Sequence, residues 1–412
     1  MNSSFPEYPI IKEYFHQNYS LVYSYTGKLE DSFIKNNSDY VKSFENIFSI
    51  EPIYFKWKNY NFPVFIHQNE KKLYTKDGNI SFDIFLNTFL FLSAWQEIIC
   101  NKKDEHNRFP YKESLQKKYK FTEIPVVNIY FELLYEVSLK NGNNILKKKF
   151  KNPFILTHDI DQLRSAWFEN IQYELNNFSF KSVFIILNQL FRKFFHLKDS
   201  YFLAMERMLN IDEENNVNAT SFLMPMKSHK DADFEIGDKE FKEIINKTCN
   251  KQTIGIHPGY DTYNNKDEYS KQINKLEKIA NKKITKSRQH FLRYDINSTP
   301  YIQEELKIEE DYTLGFAEHY GFRNAIANQF YLFNFKEQKA FDITQIPLVF
   351  MDVSLLHYSI DKEFDSVLNF LETIKNDFNI NFSILFHNSV FAKGKYDGFE
   401  ELYLKIIELN KK

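Results

Sequence analysis

Thr157-His158-Asp159-Ile160-Asp161 sets two carboxylates two residues apart, directly after the apolar run Phe154-Ile155-Leu156. In an extended chain, residues i and i+2 share a face. Asp159 and Asp161 therefore point into one cavity, while His158 and Ile160 face the other way. Two carboxylates held that close are costly unless a cation lies between them or one of them is protonated. The stretch reads either as a metal-assisted active site or as a strand-to-helix turn with Asp161 as an N-cap.

Three further stretches carry side chains with chemical capacity. In Ile254-Gly255-Ile256-His257-Pro258-Gly259-Tyr260-Asp261, a histidine ends an apolar run and a Pro-Gly turn presents it to a ligand. Asp261 stands four residues after His257, but Pro258 and Gly259 spoil a helical pairing of the two. In Ser287-Arg288-Gln289-His290-Phe291-Leu292, alternation puts Arg288 and His290 on one face. Arg288 could pair with a strand-end carboxylate and His290 could complete a metal shell; the other reading is a polar strand edge. Ile384-Leu385-Phe386-His387 ends an apolar strand in a histidine suited to act as a general acid. Arg323 and Asp352 come from neighbouring units, as substrate contacts or as structural groups. His16, His67 and His106 have no carboxylates grouped around them, and His196, His229, His319 and His357 read as surface or packing residues.

The elements that must position these residues alternate in type. Short apolar runs fall at 154–157, 219–224, 253–256, 290–292, 312–316, 347–351 and 382–386. Helical stretches are predicted near 162–197, 238–248, 266–281, 300–306, 362–378 and 399–409. Strand–helix alternation implies a parallel α/β sheet, and about seven units suit a closed or nearly closed barrel. The Asp-Ile-Asp segment, His257, Asp352 and His387 each end a strand-like run, the end at which α/β barrels gather their sites. Before residue 150 the character differs: strand-like Pro63–Ile66 precedes long helical pieces at Phe82–Cys100 and Val126–Lys140.

Composition narrows the function classes. The 412 residues carry a net charge of −2 with the two signs interspersed, so no basic field is available for nucleic acid. Glycine is scarce, and no Gly-x-Gly, Gly-Lys-Ser/Thr, Gly-x-Ser-x-Gly or His-Glu-x-x-His occurs. Cys100 and Cys249 form neither a disulfide framework nor a metal pair and fit a reducing compartment. The first residues lack a signal-peptide pattern, and the longest uncharged run, Ile84–Gln96, is too short to span a bilayer. A cytoplasmic location is expected.

The ordered motifs resemble the polysaccharide deacetylase family, carbohydrate esterase family 4, over residues 150–395. Asp159-Ile160-Asp161 resembles its first motif, with a catalytic-base Asp and a metal-binding Asp. His257 resembles the first metal histidine of the second motif, Arg288 the base-orienting arginine of the third, and Leu385-Phe386-His387 the fifth. Leu156–Asp161, Gly255–Pro258 and Arg288–His290 are similar to a deacetylase-like subgroup linked to bacterial surface-polysaccharide biosynthesis and carrying an extra N-terminal domain. Residues 1–150, including Phe91–Glu97, look like that domain. Two departures stand out: the family's second metal histidine is Asp261 here, and His158 replaces an aromatic residue.

The resemblance implies a distorted (β/α)7 deacetylase-type barrel over 151–412 with a smaller N-terminal α/β domain over 1–150. It implies metal-dependent hydrolysis of an N-acetyl group on a saccharide. A divalent ion, zinc by expectation, would be held by Asp161, His257 and, in place of Asp261, His290. Asp159 would act as base, Arg288 as its positioner and His387 as acid. Tyr260, Arg323, Asp352 and His158 complete the candidate substrate contacts. Two alternatives are a lapsed deacetylase that binds glycan or a biosynthetic partner, and a metal-free glycosidase using Asp159 and Asp352.

Overall fold

The structure, a computed structural model, describes residues 5–25, 44, 46–67, 71–228, 230–235, 237–357, 364–392 and 395–411. His229 lies outside these residues, as do the side chains of Cys249 and His357. The chain divides into two compact units, one of residues 1–153, 294–349 and 373–382, the other of 154–293, 350–372 and 383–412. Both mix helices and strands, so the architecture is α/β.

The strands that carry the predicted site are β1 (Phe154–Ile160), β2 (Thr220–Leu223), β3 (Thr253–Ile256), β4 (Lys286–Ser287), β5 (Leu348–Met351) and β6 (Phe382–His387). They lie side by side in the order β4-β3-β2-β1-β6-β5. From β1 to β4 the pairing is parallel. A parallel pair needs a crossover, and helices Ser200–Asn215, Lys239–Lys251 and Lys266–Ala280 supply three of them. Strands covered on both faces read as continuous apolar runs, which is why Phe154–Leu156 and Phe222-Leu223 show no alternation. Helix Lys266–Ala280 shows how sequence sets an element's ends. The Asn265 side chain accepts from the Glu268 N–H, Asp267 and Glu268 stand in the first turn, and Asn281 ends the helix at φ 51°.

Three expectations change. The stretch 162–197 is two helices, Ala166–Asn176 and Phe180–Phe194, because Asn177-Phe178-Ser179 breaks the first and a Ser179–Ser182 capping box starts the second. His290–Leu292 is a 3₁₀ turn, with the strand displaced to Lys286–Ser287. Likewise the strand near 312–316 is the two-residue Glu310–Asp311.

The other unit contains helices Tyr8–Val22, Ile84–Leu92 and Val126–Lys140 and the hairpin Ile53–Trp57/Tyr60–Val64. Strands Phe330–Asn334 and Lys339–Gln345, which pair antiparallel, also belong to it. Every residue of Ile84–Leu92 is buried, as expected of a helix apolar all round. Its one amide, Asn87, is fully engaged: it accepts from the Phe65 and Ile66 N–H groups and donates to the Ile66 and Asp83 carbonyls. Ala94, at φ 55°, ends this helix and starts the short Trp95–Ile99. No helix among the described residues is long and apolar enough to cross a membrane.

Arg323 belongs to this unit, and its placement corrects the expectation of a substrate contact. Its guanidinium donates to both Glu97 carboxylate oxygens, at 2.8 and 2.6 Å, and to the Gly315 carbonyl at 3.1 Å. Both partners are buried. Removing one member of such a pair leaves an uncompensated buried charge, at a typical cost of about 3–5 kcal/mol. Glu97→Gln should therefore destabilise the chain by that order in urea unfolding followed by tryptophan fluorescence. A loss below about 1 kcal/mol, the exposed-pair range, would show that water reaches the pair.

Candidate metal centre

Alternation along β1 sorts its side chains. Thr157, Asp159 and Asp161 take one face, and His158 the other. Arg288, fully buried at the end of β4, donates to Asp159 Oδ1 at 2.9 Å and to Thr157 Oγ1 at 2.9 Å. Thr157 in turn donates to the Ile384 carbonyl on β6 at 2.8 Å. The guanidinium also lies over the Phe222 ring, 4.6 Å from its centroid. Position 255 must be glycine, because a Cβ there would collide with that ring. Burial raises the Asp159 carboxyl, but the Arg288 charge, helped by His257 and His387, outweighs it and holds the group below the ordinary carboxylate range.

His158 is on the rear face and is no substrate contact. Its Nδ1 meets the Phe386 carbonyl and its Nε2 meets Asp212 Oδ2, both at 3.0 Å. Asp212 also accepts from Tyr403 Oη at 2.6 Å and from Gln252 Nε2 at 2.5 Å. This buried network fixes β1 from behind.

On the front face, donor atoms of Asp161, His257 and His290 lie within 4.8 Å of one another. Hydrogen-bond logic fixes the two rings. His257 Nδ1 is 2.7 Å from the Arg288 carbonyl, which can only accept, so Nδ1 carries the hydrogen. His290 Nε2 is 2.9 Å from the Lys230 carbonyl and carries its hydrogen for the same reason. In neutral rings, His257 Nε2 and His290 Nδ1 then face each other with lone pairs at 2.9 Å. That arrangement is repulsive unless a proton or a cation lies between them. Burial, then the His257 charge, holds the His290 ring well below its ordinary value, so His290 Nδ1 is the accepting side of this gap. Asp161 is pushed up by burial and by Asp159 and Asp233, so a cation beside it would relieve the like charge. Oxygen and imidazole donors with fixed tautomers fit a divalent ion. Asp261 is not part of the group; its side chain is 81% exposed and lies 3.4 Å from Arg293 Nη1.

His387 ends β6, and its Nδ1 lies 2.7 Å from Asp352 Oδ1. The other Asp352 oxygen accepts from the His387 backbone N–H at 2.6 Å. Asp352, fully buried, is therefore a partner of His387 and not a direct substrate contact. Burial would lower the His387 ring; Asp352, with Asp161 and Asp159, outweighs it and raises the ring to about 10.

A loop absent from the sequence expectations ties these parts together. Asp233 accepts from the Leu163 and Arg164 N–H groups at 2.7 Å each, and its own N–H meets the Asp161 carbonyl at 3.4 Å. Asp231 accepts from the Tyr260 N–H at 2.7 Å, and a Cβ at Gly259 would come within 2.9 Å of its carboxylate. The available signal was Asp231-Ala232-Asp233, an Asp-x-Asp following β2. Thr157 could have been found too, two residues before Asp159 on the same face. The Tyr260 ring carries the Arg293 guanidinium at 3.7 Å and packs edge-on to Phe291, which abuts His290.

Residues 7–143 match the model of a family of unknown function, DUF7033. No curated protein matches the chain. Similar solved structures include a protein described as a polysaccharide deacetylase from Mycobacterium smegmatis, 11% identical over 64% of this chain and 86% of that one, with a TM-score of 0.39. A polysaccharide deacetylase from Bacillus cereus is 11% identical over 63% of this chain and 87% of its own, with a TM-score of 0.31. A carbohydrate esterase family 4 pseudoenzyme from Bacillus anthracis is 13% identical over 50% of this chain and 57% of its own, with a TM-score of 0.26.

The donor group makes a direct prediction. After zinc loading and desalting, elemental analysis should find about one equivalent in the unaltered chain. Asp161→Ala, His257→Ala and His290→Ala should each lose most of it, and Asp261→Ala should keep it. Full zinc in His290→Ala, or its loss in Asp261→Ala, would reassign the third ligand.

Proposed function

We propose that this chain is a metal-dependent carbohydrate N-deacetylase that removes an acetyl group from an N-acetylated sugar in bacterial surface-polysaccharide metabolism, in the cytoplasm. The observation that carries the reading is the Asp161–His257–His290 donor group, which lies with an arginine-held carboxylate and a carboxylate-held histidine at or just beyond the C-terminal ends of neighbouring strands. The order of the motifs along the chain supports it. The reading is hydrolysis: water adds to the acetyl carbon, the C–N bond breaks, and acetate and a free amine leave.

Asp161, His257 and His290 would hold the ion, and two imidazoles with one carboxylate suit zinc. The chemistry such an ion supplies when bound is polarisation of the acetyl carbonyl and acidification of a water. Asp159 is the group that takes the water's proton. Its ionised state follows from Arg288, and its orientation is fixed because that guanidinium is itself held by Thr157. His387 holds a proton well above neutrality and gives it to the departing amine nitrogen. Asp352 keeps that ring charged and aimed. Phe291, exposed beside His290, offers an aromatic surface for the apolar face of a sugar ring, and Tyr260 braces it edge-on.

Asp159→Asn keeps the shape but cannot take a proton. Turnover in an amine-release assay across N-acetyl sugars should fall by about 10²–10⁴-fold while zinc stays bound. Near-normal turnover would remove Asp159 as the base. Asp352→Asn tests the acid. His387 must be protonated to act, so activity persists on the alkaline side up to the ring's raised value. Without the Asp352 charge, burial dominates and the ring falls. The alkaline limb of kcat/KM should move to lower pH, and an unmoved limb would exclude His387 as the group that sets it.

A further inference from the structure

The two helices that follow Asp161 carry most of the exposed large hydrophobic side chains among the described residues of the second unit. In Phe180–Phe194, Phe180, Val183, Phe184, Leu187, Leu190, Phe191 and Phe194 recur at helical spacing, and all are exposed. Phe180 is 97% exposed, Phe184 74% and Phe194 77%. Two polar residues, Ser182 and Gln189, face inward instead. Ser182 is buried and donates to Glu174 at 2.5 Å, and Gln189 is buried and donates to Ser200 at 3.1 Å. The helix is thus amphipathic with its apolar stripe turned away from its own unit. Leu175, Phe178 and Phe195 extend the patch.

Charge decides what covers it. Residues 176–198 contain Lys181, Arg192, Lys193 and Lys198 and not one carboxylate, in a chain whose net charge is −2. Lys198 is balanced by Glu206 at 3.0 Å. Arg192 bonds to the neutral oxygens of Asn188 and Lys198, at 3.2 and 3.0 Å, and Lys193 lies over the Trp167 ring at 4.9 Å. A second copy of the same face would set these cations against their own kind, with no acid in the segment to pair them. An apolar stripe edged by cations is complementary to lipid tails beneath anionic headgroups. The helix is 15 residues long, enough to lie in an interface and too short to span one. Alongside it runs a groove of about 750 Å³ with apolar walls that include Phe184, Leu203 and Ala204, with Arg192 and the Arg207–Glu400 pair among its polar lining.

We propose that the helical pair Ala166–Phe194 docks peripherally on an anionic lipid surface through the Phe180–Phe194 stripe. The test is flotation of the full chain with vesicles of phosphatidylcholine containing about one third phosphatidylglycerol. The chain should float with these vesicles. It should bind several-fold less to pure phosphatidylcholine, and be released by about 0.5 M salt to a similar degree. Phe184→Ser/Phe191→Ser should cut the bound fraction at least about tenfold with an unchanged thermal midpoint, since both side chains are already in water. Lys181→Glu/Lys193→Glu should weaken binding with no apolar change, a second route if the first pair misfolds. Equal flotation of wild type and both folded double variants would overturn the proposal. So would a chain that ignores vesicles and sediments as a dimer that Phe184→Ser/Phe191→Ser dissolves; in that case a second copy covers the stripe.

Discussion

The buried ion pair of Arg288 with Asp159 is the constraint from which the rest of the site follows. Arg288 is fully buried and Asp159 nearly so, and neither charge could stay there without the other. One residue serves two roles through different atoms. Its guanidinium orders Asp159 and Thr157, while its carbonyl takes the Nδ1 hydrogen of His257 and so turns the free Nε2 toward His290. Its own N–H is held by the Ile256 carbonyl at 3.0 Å, so β3 and β4 set the position of both groups. A two-residue strand suffices for β4 because this residue is fixed at N–H, carbonyl and side chain alike.

The same enclosure separates the titrating groups. Asp159 and Asp161 stand two residues apart on one face, yet the first is held low by Arg288 and the second is pushed up by burial and by its neighbour's charge. His387, at a different strand end, is held high by Asp352. The two carboxylates share one intrinsic chemistry, and only their surroundings drive their protonation apart. The two imidazole nitrogens that face each other across 2.9 Å need a proton or a cation between them.

Period and strand-end position made part of this legible. The i, i+2 rule placed Asp159 and Asp161 on one face because a parallel strand in a sheet has no other freedom. The remote partners were not legible. Arg323 sits at a loop position as suitable for substrate as for structure, and Glu97, 226 residues earlier, is what settles its role. Asp352 and His158 are the same case, with His387 and Asp212 as the deciding groups. His290 was identified as the residue of interest but placed in the wrong element. The apolar run His290–Leu292 reads as a strand, whereas Phe291 and Leu292 take φ of 57° and 53° and coil it into a turn. Helix periodicity between 162 and 197 was visible, but periodicity says only that an apolar face exists and not which way it points.

Asp261 and His290 show how one loop decides which side chain joins the candidate donor group. The Pro258-Gly259 turn is fixed by Asp231, which occupies the space a Cβ would need and accepts the Tyr260 N–H. Asp261 is thereby carried out to solvent and toward Arg293. The same loop brings the Lys230 carbonyl to His290 Nε2, while the Pro258 carbonyl holds the His290 backbone N–H at 3.3 Å. The loop therefore leaves the side chain at 261 turned to solvent and orients the His290 imidazole. Within the candidate group, the orientation of His290 depends on the Lys230 carbonyl and the Pro258 carbonyl and not on the four-residue spacing from His257 to Asp261.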